Sequence, residues 1–253
     1  MTKVIICGVL GNMGAKILDI CFDDHDIEVV AGIDQQDGVL ANVPIFRSFS
    51  DCDIKADVVI DFSNPVLTDS IVEYCRAQNT ALVMCTTGQN ESELDAIRRL
   101  ADSVPVFLSA NMSVGIALLK SLAARAAAML RDNFDIEIVE YHHHRKLDAP
   151  SGTAMMLANE INASTGNKYT YVYDRHDVRK SRDKNEIGMH AIRGGTIVGA
   201  HEVIFAGNDE VITLSHQASS RTVFAVGAVN AAKFVAKQKP GIYDMDSIMA
   251  GTI

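Results

Sequence analysis

The sequence predicts an α/β protein: a Rossmann-type doubly wound parallel sheet, followed by a smaller α+β domain with a mixed, largely antiparallel sheet. Three observations carry this. Short β-branched runs alternate with helical patterns over the first 111 residues, a glycine-rich turn follows the first run at once, and the texture changes at Ser113. With 253 residues, 48% of them hydrophobic, the chain has enough apolar material for one large core or two modest ones.

The strand runs fall at residues 4–7, 27–33, 56–60, 80–84 and 104–108, and the intervals between them suit crossover helices. Continuous apolar character in Val58-Val59-Ile60 and Ala81-Leu82-Val83-Met84 fits strands covered on both faces. Residues 113–130 then read as a long Ala/Leu-rich helix. Residues 134–141 alternate like a strand, with Ile136 and Ile138 apolar and Glu137 and Glu140 polar. A charged segment at 174–186, two strand candidates at 196–205 and 210–217, and a last helix at 221–237 before Pro240-Gly241 complete the chain. The domains expected are 1–113 with 221–253 for a dinucleotide, and 114–220 for substrate and oligomerisation.

Charge and cysteines narrow the class of function. The 23 Lys+Arg against 32 Asp+Glu leave a net charge of -9, which disfavours nucleic acid or an anionic membrane as partner. No stretch suits a bilayer span and the N-terminus does not resemble a secretory signal, so a cytoplasmic protein is expected. The five cysteines (Cys7, Cys21, Cys52, Cys75, Cys85) form no C-x-x-C pair and read as buried reduced thiols.

Gly8-Val9-Leu10-Gly11-Asn12-Met13-Gly14 stands between the first strand and a helix at 15–22. Glycines there allow a sharp turn and let a pyrophosphate approach the amides of a helix N-terminus. The spacing is G-x-x-G-x-x-G, with Leu10 where the usual dinucleotide pattern has glycine, and a purely structural turn is the competing reading. About twenty residues on, Asp34 ends the second run, where an acidic side chain meets the adenosine ribose hydroxyls. Its carboxylate repels a 2′-phosphate, Gln35 and Gln36 add no arginine, and Asn12 adds no cation, so NADH is favoured, with NADPH possible.

The densest cluster is Glu140-Tyr141-His142-His143-His144-Arg145-Lys146-Leu147-Asp148-Ala149-Pro150-Ser151-Gly152-Thr153, five consecutive protonatable side chains before a helix start. A solvated surface run, a metal site, a nucleic-acid patch and an active site compete for it. Adjacent histidines on an extended chain point to opposite faces and no carboxylate or Cys cluster completes a metal set, so no metal is expected. The active-site reading fits carbonyl or imine reduction, in which hydride delivery leaves a negative charge that a cation or acid must neutralise.

Residues 140–154 resemble the signature of the 4-hydroxy-tetrahydrodipicolinate reductase (dihydrodipicolinate reductase) family. Other blocks agree: Asp61-Phe62-Ser63, Thr86-Thr87-Gly88, Ala110 to Gly115, Arg193-Gly194-Gly195 through Gly199 and His201, and Ala218 to Arg221. The resemblance implies a proton donor at His142 and a second donor at Lys146. It implies substrate carboxylate contacts at His143, Ser151, Gly152 and Thr153. Dinucleotide contacts fall on Gly8, Val9, Leu10, Gly11, Asn12, Met13, Asp34, Cys85, Thr86, Thr87, Ser109, Ala110, Asn111 and Met112. Cys85 stands where glycine is common in the family, and Gln35 where dual-cofactor members carry arginine; His144 and Arg145 read as electrostatic supports. A small dicarboxylate substrate, lysine biosynthesis through diaminopimelate and a homotetramer are implied as well. Two rivals are another two-domain Rossmann oxidoreductase of amino-acid metabolism, with Cys85 as a conceivable nucleophile, and a nucleotide-sensing binding protein.

Overall fold

The computed structural model describes residues 1–250, apart from the side chain of Arg131. Strand β1 (Thr2–Cys7) is buried from Val4 onward and runs through the glycine turn into helix α1 (Asn12–Phe22). Strand β2 (Ile27–Ile33) follows. The next interval, of crossover length, holds no helix. Instead β3 (Gly38–Leu40) and β4 (Val43–Phe46) form an antiparallel hairpin, and a 3₁₀ turn at Phe49–Asp51 leads into β5 (Val58–Asp61). The hairpin turns on Ala41 and Asn42, both at positive φ, the geometry of a two-residue connection that matches strand twist. Helix α2 (Thr68–Gln78) stops at left-handed Asn79, and β6 (Ala81–Met84) follows. Helix α3 (Glu91–Leu100) starts with an Asn90/Glu93 capping box and leads to β7 (Pro105–Leu108).

Helix α4 (Val114–Leu130) opens the second half, with β8 (Asp135–His142), α5 (Gly152–Ser164), β9 (Thr170–Val172), β10 (Glu186–Arg193), β11 (Gly199–Ala206) and β12 (Val211–Ala218). The sheet order is β12-β11-β8-β10-β9; β11 is antiparallel to both its neighbours and β10 parallel to both of its own. Leu119 and Ala123 of α4 and Leu157 and Ile161 of α5 share one core with Ile136, Ile138, Val203 and Phe205 of the sheet. Sequence patterning misses β10, because it begins at the end of the charged segment. That segment is tied to the sheet: Arg175 pairs with Glu186 at 2.6 Å, and Arg182 reaches Glu137 at 3.0 Å and Asp135 at 2.8 Å.

Helix α6 (Thr222–Val235), β13 (Gly241–Tyr243) and α7 (Met245–Ala250) return to the first half of the chain. Buried Ala225, Ala228, Ala231 and Ala232 give α6 a flat face, on which α1 and the sheet pack closely, and Lys233 meets Asp24 at 2.6 Å. Strand β13 extends the first sheet, giving β13-β7-β6-β5-β1-β2-β4-β3, parallel except for β3 against β4. Val59, Ile60, Leu82 and Val83 are fully buried, each contributing on the order of 1.5–3 kcal/mol. The chain forms two compact units, Met1–Val114 with the chain from Thr222 on, and Gly115–Arg221. Among the described residues no helix is long and apolar enough to cross a membrane.

Candidate active site

In the second unit the site grows out of the two-residue period of β8. Ile136, Ile138, Glu140 and His142 share its buried face, so Glu140, grouped with the polar positions by sequence, lies inside at 1% exposure. A buried carboxylate must be neutralised and hydrogen-bonded. Arg193, at the end of β10 opposite His142 in register, supplies a two-pronged fork at 2.8 and 2.7 Å, and the Ser151 amide donates at 2.9 Å. The fourth contact is with His142, whose Nδ1–H donates to Glu140 Oε2 at 2.6 Å. Burial pushes the Glu140 pKa up, but Arg193, His142 and the Ser151 amide outweigh it and hold the carboxyl below its ordinary value.

His142 thus has one nitrogen fixed and the other, Nε2, without a protein hydrogen bond among the described residues. A Cβ on Gly199 would lie 3.0 Å from that Nε2, so the glycine keeps the approach open. Ser151 caps α5, its hydroxyl oxygen accepting from the Ala154 amide at 3.2 Å, and the same hydroxyl shares a hydrogen bond with His201 Nε2 at 3.1 Å. Burial, with His142 nearby, lowers the His201 pKa to about 4, so this imidazole is neutral. Lys146 pairs with Asp148 at 2.8 Å, and the Asp148 carbonyl accepts from Arg193 at 2.7 Å, so the lysine rests on the same framework. His143 is half-buried, its pKa lowered by desolvation and by the Arg145, Arg221 and His142 charges. His144 ties the turn to the Gly195 carbonyl through Nδ1 at 2.9 Å. The peptide bond between Ala149 and Pro150 is cis.

In the first unit the predicted nucleotide residues gather at the carboxyl ends of the parallel strands, where open α/β sheets bind ligands. Gly8 to Met13 follow β1, Asp34 follows β2, Cys85 to Thr87 follow β6, and Ser109 to Met112 follow β7. A Cβ on Gly14 would lie 2.1 Å from the Gly8 carbonyl oxygen, and Gly8 itself has φ 81°, so α1 approaches the turn as only glycine permits. Helix α1 has no side-chain cap and no acid in its first turn, leaving its amide end to an anion. Asp34 accepts from the Leu10 and Gln35 amides, both at 2.8 Å, and lines a cleft of about 340 Å³ with Gly8, Gly11 and Gln35. This donor set fits a dinucleotide: a glycine cradle for phosphate and a carboxylate for ribose hydroxyls. Behind it Ser63 donates to buried Asp61 at 2.5 Å and, through its amide, to Thr86 at 2.9 Å, joining two of the blocks named above. Cys85 is buried and desolvation keeps its thiol protonated, which counts against a nucleophilic cysteine. Among the described residues no group of three or more His, Cys, Asp or Glu is placed to hold a metal.

Two family profiles divide the chain: residues 2–112 match the dihydrodipicolinate reductase N-terminus, and residues 115–249 match its C-terminus. The chain belongs to the dihydrodipicolinate reductase family. Among its relatives, the 4-hydroxy-tetrahydrodipicolinate reductase of Clostridium novyi (strain NT) is 47% identical over 98% of both chains. That of Aquifex aeolicus (strain VF5) is 41% identical, again over 98% of each. A solved dihydrodipicolinate reductase from Paenisporosarcina sp. TG-14, with dipicolinate bound, superposes with a TM-score of 0.80 at 25% identity, covering 96% of this chain and 97% of that one. A diaminopimelate dehydrogenase of C. glutamicum shares the fold, with a TM-score of 0.55 at 14% identity, covering 96% and 92%.

Like its family, the chain is an oxidoreductase with a nucleotide-binding N-terminal domain. Within this member of the family the structure adds residues that sequence reasoning did not assign. Glu140, Arg193 and His201 stand around His142 and Ser151, and Arg47 lines the same cleft as Asp34. Parity along β8 was a usable signal for Glu140. The pairing of Arg193 with it, 53 residues away, had none.

Proposed function

We propose that the protein reduces 4-hydroxy-tetrahydrodipicolinate to tetrahydrodipicolinate, with loss of water, in the diaminopimelate route to lysine. The observation that carries this reading is the buried Glu140–His142–Ser151 cluster, which joins a proton donor to an anion cradle. When bound, the reduced nicotinamide supplies a hydride; the reaction also takes up one proton and releases the hydroxyl as water. Glu140 stabilises the imidazolium of His142 through Nδ1, so the proton leaves from Nε2, and Lys146 serves as second donor. His143, the Ser151 and Thr153 hydroxyls and the Gly152 and Thr153 amides hold the substrate carboxylates at the start of α5. Gly8 to Met13, Asp34, Cys85 to Thr87 and Ser109 to Met112 hold the dinucleotide, and the Asp34 carboxylate favours NADH.

In this reading the first unit is the dinucleotide domain and the second binds substrate and builds a homotetramer in the cytoplasm. Strand β12, at the sheet edge with Val211 and Ile212 exposed, supports such an assembly, which light scattering on the purified chain tests. The activity is tested by coupling: with dihydrodipicolinate synthase, pyruvate and aspartate semialdehyde present, NADH absorbance should fall. NADH consumption that needs only aspartate semialdehyde would transfer the protein to the dehydrogenases, and none at all would leave a binding protein.

A further inference from the structure

No arginine follows Asp34 in the sequence, but the sheet brings one beside it. Strand β4 lies parallel to β2 with Phe46 opposite Ile33, and the Asp34 amide donates to the Phe46 carbonyl at 3.0 Å. The next residue, Arg47, therefore stands level with Asp34 and lines the same cleft as Gly8, Gly11 and Gln35. Its guanidinium is paired with Asp37 at 3.2 Å, both side chains 67% exposed. An ion pair so open to water holds its members weakly. A phosphate offers more charge than Asp37 and suits the guanidinium fork, so it can replace that carboxylate at small cost.

We propose that Arg47 is the residue through which the cleft accepts a 2′-phosphate on the adenosine ribose, so that the enzyme takes NADPH as well as NADH. This rests on the reading above, that Asp34 meets the ribose. Asp34 repels the phosphate and Arg47 offsets the repulsion, which makes the discrimination between the two dinucleotides small. A cation reached across neighbouring strands does the work that an arginine directly after Asp34 does in a local motif.

Fluorescence titration of the full-length protein with NADH and with NADPH, without substrate, tests it. Arg47→Gln should weaken NADPH by roughly ten-fold or more, the scale of one charge-assisted contact, and leave NADH within about two-fold. Asp37→Asn, which frees the guanidinium, should tighten NADPH alone. Unchanged NADPH binding in Arg47→Gln, or equal weakening of both dinucleotides, overturns the proposal. Asp34→Asn separates the two levels of the argument: it should weaken NADH, and unaltered NADH binding would remove the ribose assignment and this inference with it.

Discussion

Replacing Glu140 by Gln probes the active site at its most connected atom pair. Gln keeps the volume and one oxygen, but it presents a neutral amide, one end of which carries donors, to a guanidinium fork, an imidazole N–H and a backbone N–H. Removing one member of a buried ion pair costs on the order of 3–5 kcal/mol, and the oxygen that Gln retains places this case near the lower bound. In a chain of this size about 3 kcal/mol corresponds to a fall in Tm of roughly 6–12 °C. The catalytic effect has a separate origin. Without the carboxylate the His142 ring loses the acceptor that fixes its Nδ1 and the counter-charge beside it, so kcat should drop by roughly 10²-fold, within the range a general acid contributes, with little change in NADH binding. Circular dichroism melts and the coupled assay measure both effects, and fluorescence titration measures NADH binding. A variant that melts early yet keeps wild-type kcat would refute the link from Glu140 to the proton donor and leave the carboxylate a structural role.

Other perturbations separate the parts of the site. His142→Gln should lower kcat by roughly 10²- to 10⁴-fold with little change in NADH binding, and turnover at the wild-type rate would remove His142 from the mechanism. Gly14→Ala places a methyl carbon 2.1 Å from the Gly8 carbonyl oxygen. Overpacking of this kind costs about 1–3 kcal/mol, and NADH binding should weaken with it, as calorimetry and fluorescence titration would show. His201, with a folded pKa of about 4 against an ordinary 6.5, binds its proton more readily when the chain is unfolded. Its stabilising contribution is therefore complete above pH 6.5 and is lost as the pH falls towards 4, amounting to about 2 kcal/mol between pH 7 and pH 5. Urea titrations at those two pH values should show that part of the loss disappear in His201→Gln; an equal loss in the variant would contradict the buried neutral imidazole.

The amino-acid sequence by itself determined the parallel strands, the glycine turn, the acidic end of β2 and the histidine block, because each is local. Apolar runs need only their own side chains to declare burial on both faces, and a helix start shows itself in Ser151 and its neighbours. Tertiary structure decided what depends on pairing between distant segments. The hairpin of β3 and β4 fills an interval whose length alone suggested a helix, and β10 is a strand although it begins at a charged residue that closes a charged segment, since it is held by β8 and β9 on either side. Glu140 is tolerable in the interior only because Arg193 arrives from β10, and Arg47 stands beside Asp34 only because β4 is in register with β2. Hydrogen-bond register and charge compensation act across space, so a chain read one residue at a time shows the groups that do the chemistry but not the neighbours that set their charge.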